Sequence, residues 1–215
     1  MPKRFSVLIY FLITVPFAFS QPADSSNFFF TPDSLLNKPA PSFLGKSIKG
    51  NIFRLENFKG KVTLLNFWFI GCTPCMHEIP YLNSIYNQYS GQDFQLISVA
   101  NNVKEDLIAF NDSARNEWMS NVRKVMKTET INYEIIPACS KRKKRKQVKN
   151  TRTVGLECDN ITKDYFVHSY PTTYIIDKMG IVRYASSGFA LEDGYAEKQA
   201  AEYKEIITRL LSESK

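Results

Sequence analysis

Histidine is almost missing from this chain of 215 residues: only His77 and His168 occur, beside four cysteines. A structural zinc site takes four Cys or His ligands, usually as two close pairs. Cys72 and Cys75 make one such pair, but His77, His168, Cys139 and Cys158 make no second one. A zinc module and a purely structural disulfide are the disfavoured readings of Cys72 and Cys75, and no cofactor is expected. No internal repeat occurs, which removes solenoid and propeller architectures. No apolar run reaches the roughly 20 residues that cross a bilayer. The nearest approach, residues 5–19, is interrupted by Pro16. No aromatic side chain interleaves the lysines and arginines that crowd residues 141–152, which argues against a nucleic-acid surface.

What is present begins with a leader. Lys3 and Arg4 precede the apolar run, and Ala18 and Ser20 supply the small-residue spacing of a cleavage site ahead of Gln21. Residues 1–20 are expected to be a secretory signal peptide, with an uncleaved anchor as the competing reading. No cysteine stands near the cut to accept a lipid. The mature protein is expected to be exported, periplasmic or secreted. Residues 21–37 read as a linker and 38–215 as one domain, for which 44% hydrophobic and 23% charged residues is ordinary composition.

Without the leader the chain carries 26 basic and 21 acidic residues, and eight of the basic ones fall between Lys141 and Arg152. The body is thus mildly acidic, and the excess positive charge belongs to one segment. An oxidising compartment permits disulfides. The spacing separates Cys72 and Cys75 from Cys139 and Cys158 as two pairs.

Short strand signals at 42–44 and 52–55, parted by Gly45 and Gly50, predict a hairpin. Residues 62–69 form a nearly continuous apolar run, the pattern of a central strand buried on both faces. From Cys75 onward Ile79, Leu82, Ile85, Tyr86 and Tyr89 recur at helical spacing, so the cysteine pair straddles a strand-to-helix turn. A strand at 94–100, helical signal over 104–127 broken near 111–113, and a strand at 131–136 follow. Residues 172–177 and 181–185 predict a second hairpin, and 196–211 an amphipathic helix with Ala200, Tyr203, Ile207 and Leu210 on its apolar side. The expected fold is α/β, a mixed sheet flanked by helices.

Thiol exchange needs one sulfur ionised near neutral pH and a second that resolves the mixed disulfide. The first turn of a helix offers free N–H groups and a positive dipole end, which lower a cysteine pKa to roughly 3.5 to 7.5. Cys72 stands there as the expected nucleophile, and Cys75, one turn inside, as the resolving thiol. Pro74 suits the first turn, where a missing N–H costs nothing.

The stretch from Gly60 through Trp68 to Cys72-Thr73-Pro74-Cys75, then Glu78 and Pro80, with the later Tyr170-Pro171-Thr172-Thr173, Ile176-Asp177 and Gly180, resembles the TlpA and ResA family. These are exported thioredoxin-like oxidoreductases with AhpC/TSA-type redoxin relatives, and the resemblance covers about residues 38–210. It implies a thioredoxin-like fold in which Pro171 is the cis-proline facing the cysteines and Tyr170 borders the substrate groove. It also places Glu78 near the cysteines, where a partly buried carboxylate moves protons; a surface glutamate in the first helical turns is the competing reading. Two positions depart from the pattern. Asn66 stands where thioredoxin has a buried aspartate, and Gly71 where many relatives have tryptophan. Trp68 reads as core.

Relatives pass directly from the strand at 131–136 to the cis-proline segment, so residues 140–157 look like an added basic loop. A Cys139–Cys158 disulfide is expected to close it. Solvated loop and electrostatic docking site, for an anionic membrane surface or an acidic partner, are the two readings of its charge. The resemblance implies an enzyme exchanging disulfides of exported proteins, more as reductant than oxidant, reset by an unidentified redox donor. A copper-binding chaperone using Cys72, Cys75 and His168 is the alternative. A peroxidase is disfavoured, because the threonine and proline expected ahead of a peroxide-reactive cysteine do not precede Cys72.

Overall fold

The computed structural model describes residues 33–112, 117–142, 146–148, 151–153, 156–192 and 194–213. The expected leader and most of the expected linker lie outside the described residues. No helix among the described residues is long and apolar enough to cross a membrane.

The first hairpin joins β1 (Leu44–Lys46) to β2 (Ile52–Arg54) in antiparallel register, its first strand two residues later than the sequence pattern suggests. Gly45 is required there by close approach: a Cβ would lie 2.7 Å from Ile136 Cγ2. The apolar run becomes β3 (Val62–Trp68), with all seven residues buried. It lies parallel to β4 (Phe94–Val103), which in turn lies parallel to β5 (Glu134–Arg142).

The basic segment departs from the expected loop. Its described parts form a β-ribbon: β5 runs on to Arg142, β6 (Lys146–Val148) pairs with β7 (Thr151–Thr153), and β8 (Leu156–Cys158) returns antiparallel to β5. Cys139 sits directly opposite Cys158, their Cα atoms 3.8 Å apart, and the two are joined by a disulfide. Of the basic side chains, Lys141 is exposed, and those from Arg142 to Arg152 lie outside the described residues.

The strand expected at 131–136 also shifts, because the Asn111 side chain grips Ile131 from both sides. Its Oδ1 accepts the Ile131 N–H at 2.6 Å and its Nδ2 donates to the Ile131 carbonyl at 3.1 Å. Ile131 is thereby held outside the ladder, which begins at Glu134.

The second hairpin, β9 (Thr172–Ile176) and β10 (Val182–Ser187), completes a six-stranded mixed sheet in the order β10-β9-β3-β4-β5-β8. Its turn is held by Asp177, whose Oδ1 accepts the N–H groups of Met179 and Ile181 while Oδ2 pairs with Arg183 at 2.7 Å.

Alternate strand residues point to opposite faces, so β3 serves two cores. Leu64 and Trp68 join Ile79, Leu82 and Ile85 of α1 (Thr73–Tyr89), with Leu107 and Phe110 of α2 (Lys104–Asn111). α3 (Glu117–Val125) adds Met119 to that face, and α5 (Tyr195–Ser212) adds Tyr203 and Ile207. Trp68 is core, its ring 5.6 Å from Phe110. Leu65 and Phe67 face the other way, onto Phe43, Tyr174 and Tyr165, which follows the short α4 (Ile161–Asp164).

Gly45→Ala should destabilise the domain by about 1–3 kcal/mol through overpacking against Ile136. Urea denaturation of the two proteins measures the difference, and an unchanged midpoint would show that the hairpin yields without loss.

Candidate active site

Cys72 caps α1. Its Sγ accepts the Cys75 N–H at 3.3 Å and its carbonyl accepts the Met76 N–H at 3.0 Å, which satisfies donors that a helix start otherwise leaves free. Pro74 falls within the first two helical positions. The two cysteines are joined by a disulfide with Cα atoms 5.2 Å apart. Cys72 keeps 6% of its surface exposed and Cys75 1%, so Cys72 is the more accessible of the two.

Gly71 explains one departure from the family pattern. Its φ of 96° lies in the left-handed region that a side chain resists, although no atom would crowd a Cβ there. The turn into the helix is made by backbone alone.

Glu78 lies one helical turn beyond Cys75, on the same face. It is buried, with 1% exposure, and the competing reading of a surface glutamate fails because α5 covers it. Three neutral groups donate to its carboxylate: Asn66 Nδ2 at 2.8 Å, Thr173 Oγ1 at 3.2 Å and the Tyr203 hydroxyl at 3.2 Å. Burial pushes its pKa up from 4.5 to about 7, against the opposing pull of those donors. The buried phenols of Tyr133 and Tyr203 are pushed well above their ordinary value, first by burial and then by Glu78, so they stay protonated. Asn66 thus holds a carboxylate from the place where thioredoxin has one.

The Tyr170–Pro171 peptide bond is cis. Pro171 is buried at the head of β9, and the pairing of Thr172 with Phe67 places it at the cysteine end of β3. Its carbonyl accepts the Gly188 N–H at 2.7 Å. Tyr170 is half-buried and meets Phe69, in the loop before Cys72, edge to face at 5.2 Å, so the two loops touch. His168 is exposed. Among the described residues no three His, Cys, Asp or Glu side chains converge as a metal site, so Cys72, Cys75 and His168 are not brought together as copper ligands.

Sequence reading missed Thr173, Tyr203 and Gln199. Tyr203 was visible only as a member of an apolar stripe, yet a tyrosine on a buried face needs a partner for its hydroxyl, and that was the available signal. Gln199, one turn earlier on α5, donates to the Tyr203 hydroxyl at 3.0 Å and to the Gly188 carbonyl at 3.1 Å.

The sequence profile of the AhpC/TSA family matches residues 36–185. The chain belongs to the AhpC/TSA family. The thioredoxin-like protein YneN of Bacillus subtilis is 28% identical over 144 residues, 67% of this chain and 66% of its own length. This chain therefore spans about two thirds of that relative. The thiol-disulfide oxidoreductase ResA of Geobacillus kaustophilus is 29% identical over 164 residues, 76% of each protein. A Chlorobium tepidum crystal structure, a candidate thiol:disulfide interchange protein DsbE, superposes with a TM-score of 0.54 at 19% identity. The match covers 82% of this chain and 98% of that one, and the likeness carries the thioredoxin-like fold. The AhpC/TSA match includes Cys72, Cys75, Glu78 and Pro171 but ends before α5, so the Tyr203 hydroxyl comes from beyond it.

The raised pKa of Glu78 has a sign. Between pH 4.5 and about 7 the folded protein keeps a proton that the unfolded chain has lost, so this residue makes stability fall as pH rises through that window. Glu78→Gln should remove about 3 kcal/mol of that pH-dependence. Comparing urea denaturation of variant and wild type at both ends of the window tests it, and parallel curves would refute the burial argument.

Proposed function

We propose that this chain is an exported thiol-disulfide oxidoreductase that reduces disulfides of exported proteins through Cys72 and Cys75. The observation that carries the reading is Cys72 as the N-cap of α1, bonded to a less exposed Cys75. Pro171, in a cis bond, stands at the same end of the sheet. The name of the relative ResA, a thiol-disulfide oxidoreductase, supports the same chemistry.

In the reduced protein the helix N-terminus favours the Cys72 thiolate. That thiolate attacks one sulfur of a substrate disulfide, forming a mixed disulfide and releasing the other substrate sulfur as a thiolate. Cys75 then loses its proton and attacks Cys72 Sγ. The second substrate sulfur leaves, and Cys72 and Cys75 end bonded as they are here. Two electrons have passed to the substrate, and an external dithiol donor must return them. Glu78, with a pKa of about 7, is the base suited to take the Cys75 proton near neutrality. Tyr170 and Pro171 form the wall along which the substrate chain lies. Export in this reading is supported by the leader-like pattern of residues 1–20, and the reducing direction by the family resemblance.

Cys75→Ser should arrest exchange after the first step. Expressed in the native host, it should accumulate mixed disulfides between Cys72 and exported proteins, resolved by mass spectrometry. Recovery of none, together with failure of the wild type to reduce insulin, would end this reading.

The basic ribbon belongs to the proposal as a docking element for anionic membrane, where each nearby charge contributes about 1 kcal/mol. Serine at all six positions 141–146 should abolish salt-sensitive sedimentation with anionic vesicles. Sedimentation equal to wild type would remove that role.

A further inference from the structure

The loop that presents Cys72 is tied to one short stretch of β4. The β3–β4 ladder ends at the pair Trp68 and Ala100. Against β5 the register then slips: Ala100 faces Pro137 and Val103 faces Cys139, three steps on β4 for two on β5. Such a bulge re-aims side chains. The residues inside it are Asn101 and Asn102, which the exchange chemistry does not use.

Asn102 Oδ1 accepts the Ile70 N–H at 2.8 Å. The two are 32 residues apart, the offset that runs through the whole β3–β4 ladder, as in Trp68 and Ala100. The side-chain amide therefore continues the ladder where the main chain stops. Ile70 is two residues ahead of Cys72, and Gly71 between them offers no side chain for packing. The same turn also carries the bond from the Cys72 N–H to the Phe69 carbonyl at 3.2 Å.

Asn101, its neighbour in the bulge, has its Oδ1 3.0 Å from Cys139 Sγ. That is a contact and not a hydrogen bond, since a disulfide sulfur carries no proton. The Cys139–Cys158 bond thus backs the bulge from behind.

We propose that Asn102 is a positioning residue of the exchange site, fixing the loop that presents Cys72. This rests on the oxidoreductase reading. Asn102 acts on the nucleophile, because the stability of the Cys72 thiolate depends on where the sulfur sits relative to the first turn of α1.

The test uses the full chain. Asn102→Leu and the shorter Asn102→Ser should speed exchange of the Ile70 amide with deuterium by about fivefold or more, the loss of one hydrogen bond. Asn102→Asp keeps an acceptor oxygen and should keep the amide protected. In a Cys75→Ser background, Asn102→Ser should shift the pH profile of Cys72 alkylation by iodoacetamide upward, a change that loss of global stability alone does not produce. Wild-type Ile70 protection and alkylation in Asn102→Ser would overturn the assignment. Wild-type protein that reduces no disulfide at all would instead overturn the function on which the proposal rests.

Discussion

One carboxylate holds the sheet, the redox helix and the closing helix together. Glu78 of α1 accepts from Asn66 of β3, Thr173 of β9 and Tyr203 of α5, and Asn66 also donates to Thr173 at 3.0 Å. β3 has no exposed residue, so a polar side chain at its centre must find its partner inside the protein. With Asn66, Thr173 and Tyr203 as its donors among the described residues, the acid is satisfied by neutral groups. That arrangement keeps the carboxyl poised near neutrality. A lysine or arginine partner would have forced it to stay charged.

The same network explains what could and could not be read from the sequence. β3 was legible as a continuous apolar run, the turn at Cys72 as the junction of that run with a helical pattern, and α5 by its 3.6-residue period. The burial of Glu78 was not, since nothing within α1 reports that α5 lies over it. Thr173 and Tyr203 were hidden for the same reason: their partner is distant in the chain. Residues 131–133 look like strand by composition, and only the Asn111 side chain, gripping Ile131, shows why the ladder starts later.

The basic segment is the largest gap between pattern and structure. Lysine and arginine runs carry little strand signal, and strand pairing is set by residues far apart. Here Cys139 and Cys158, in register across β5 and β8, fix the base of the ribbon, and the strands above follow from that closure. The cysteine pairing was legible from spacing; the ribbon it organises was not.

That ribbon also decides how the sheet ends. A strand at the rim of a sheet leaves a row of main-chain donors and acceptors open to a second molecule, the usual seed of edge-to-edge aggregation. β8 is only three residues long, and the segment leading to it is rich in lysine and arginine. A short rim flanked by positive charge gives another copy little to pair with and repels it on approach. The basic segment thereby also guards one border of the sheet.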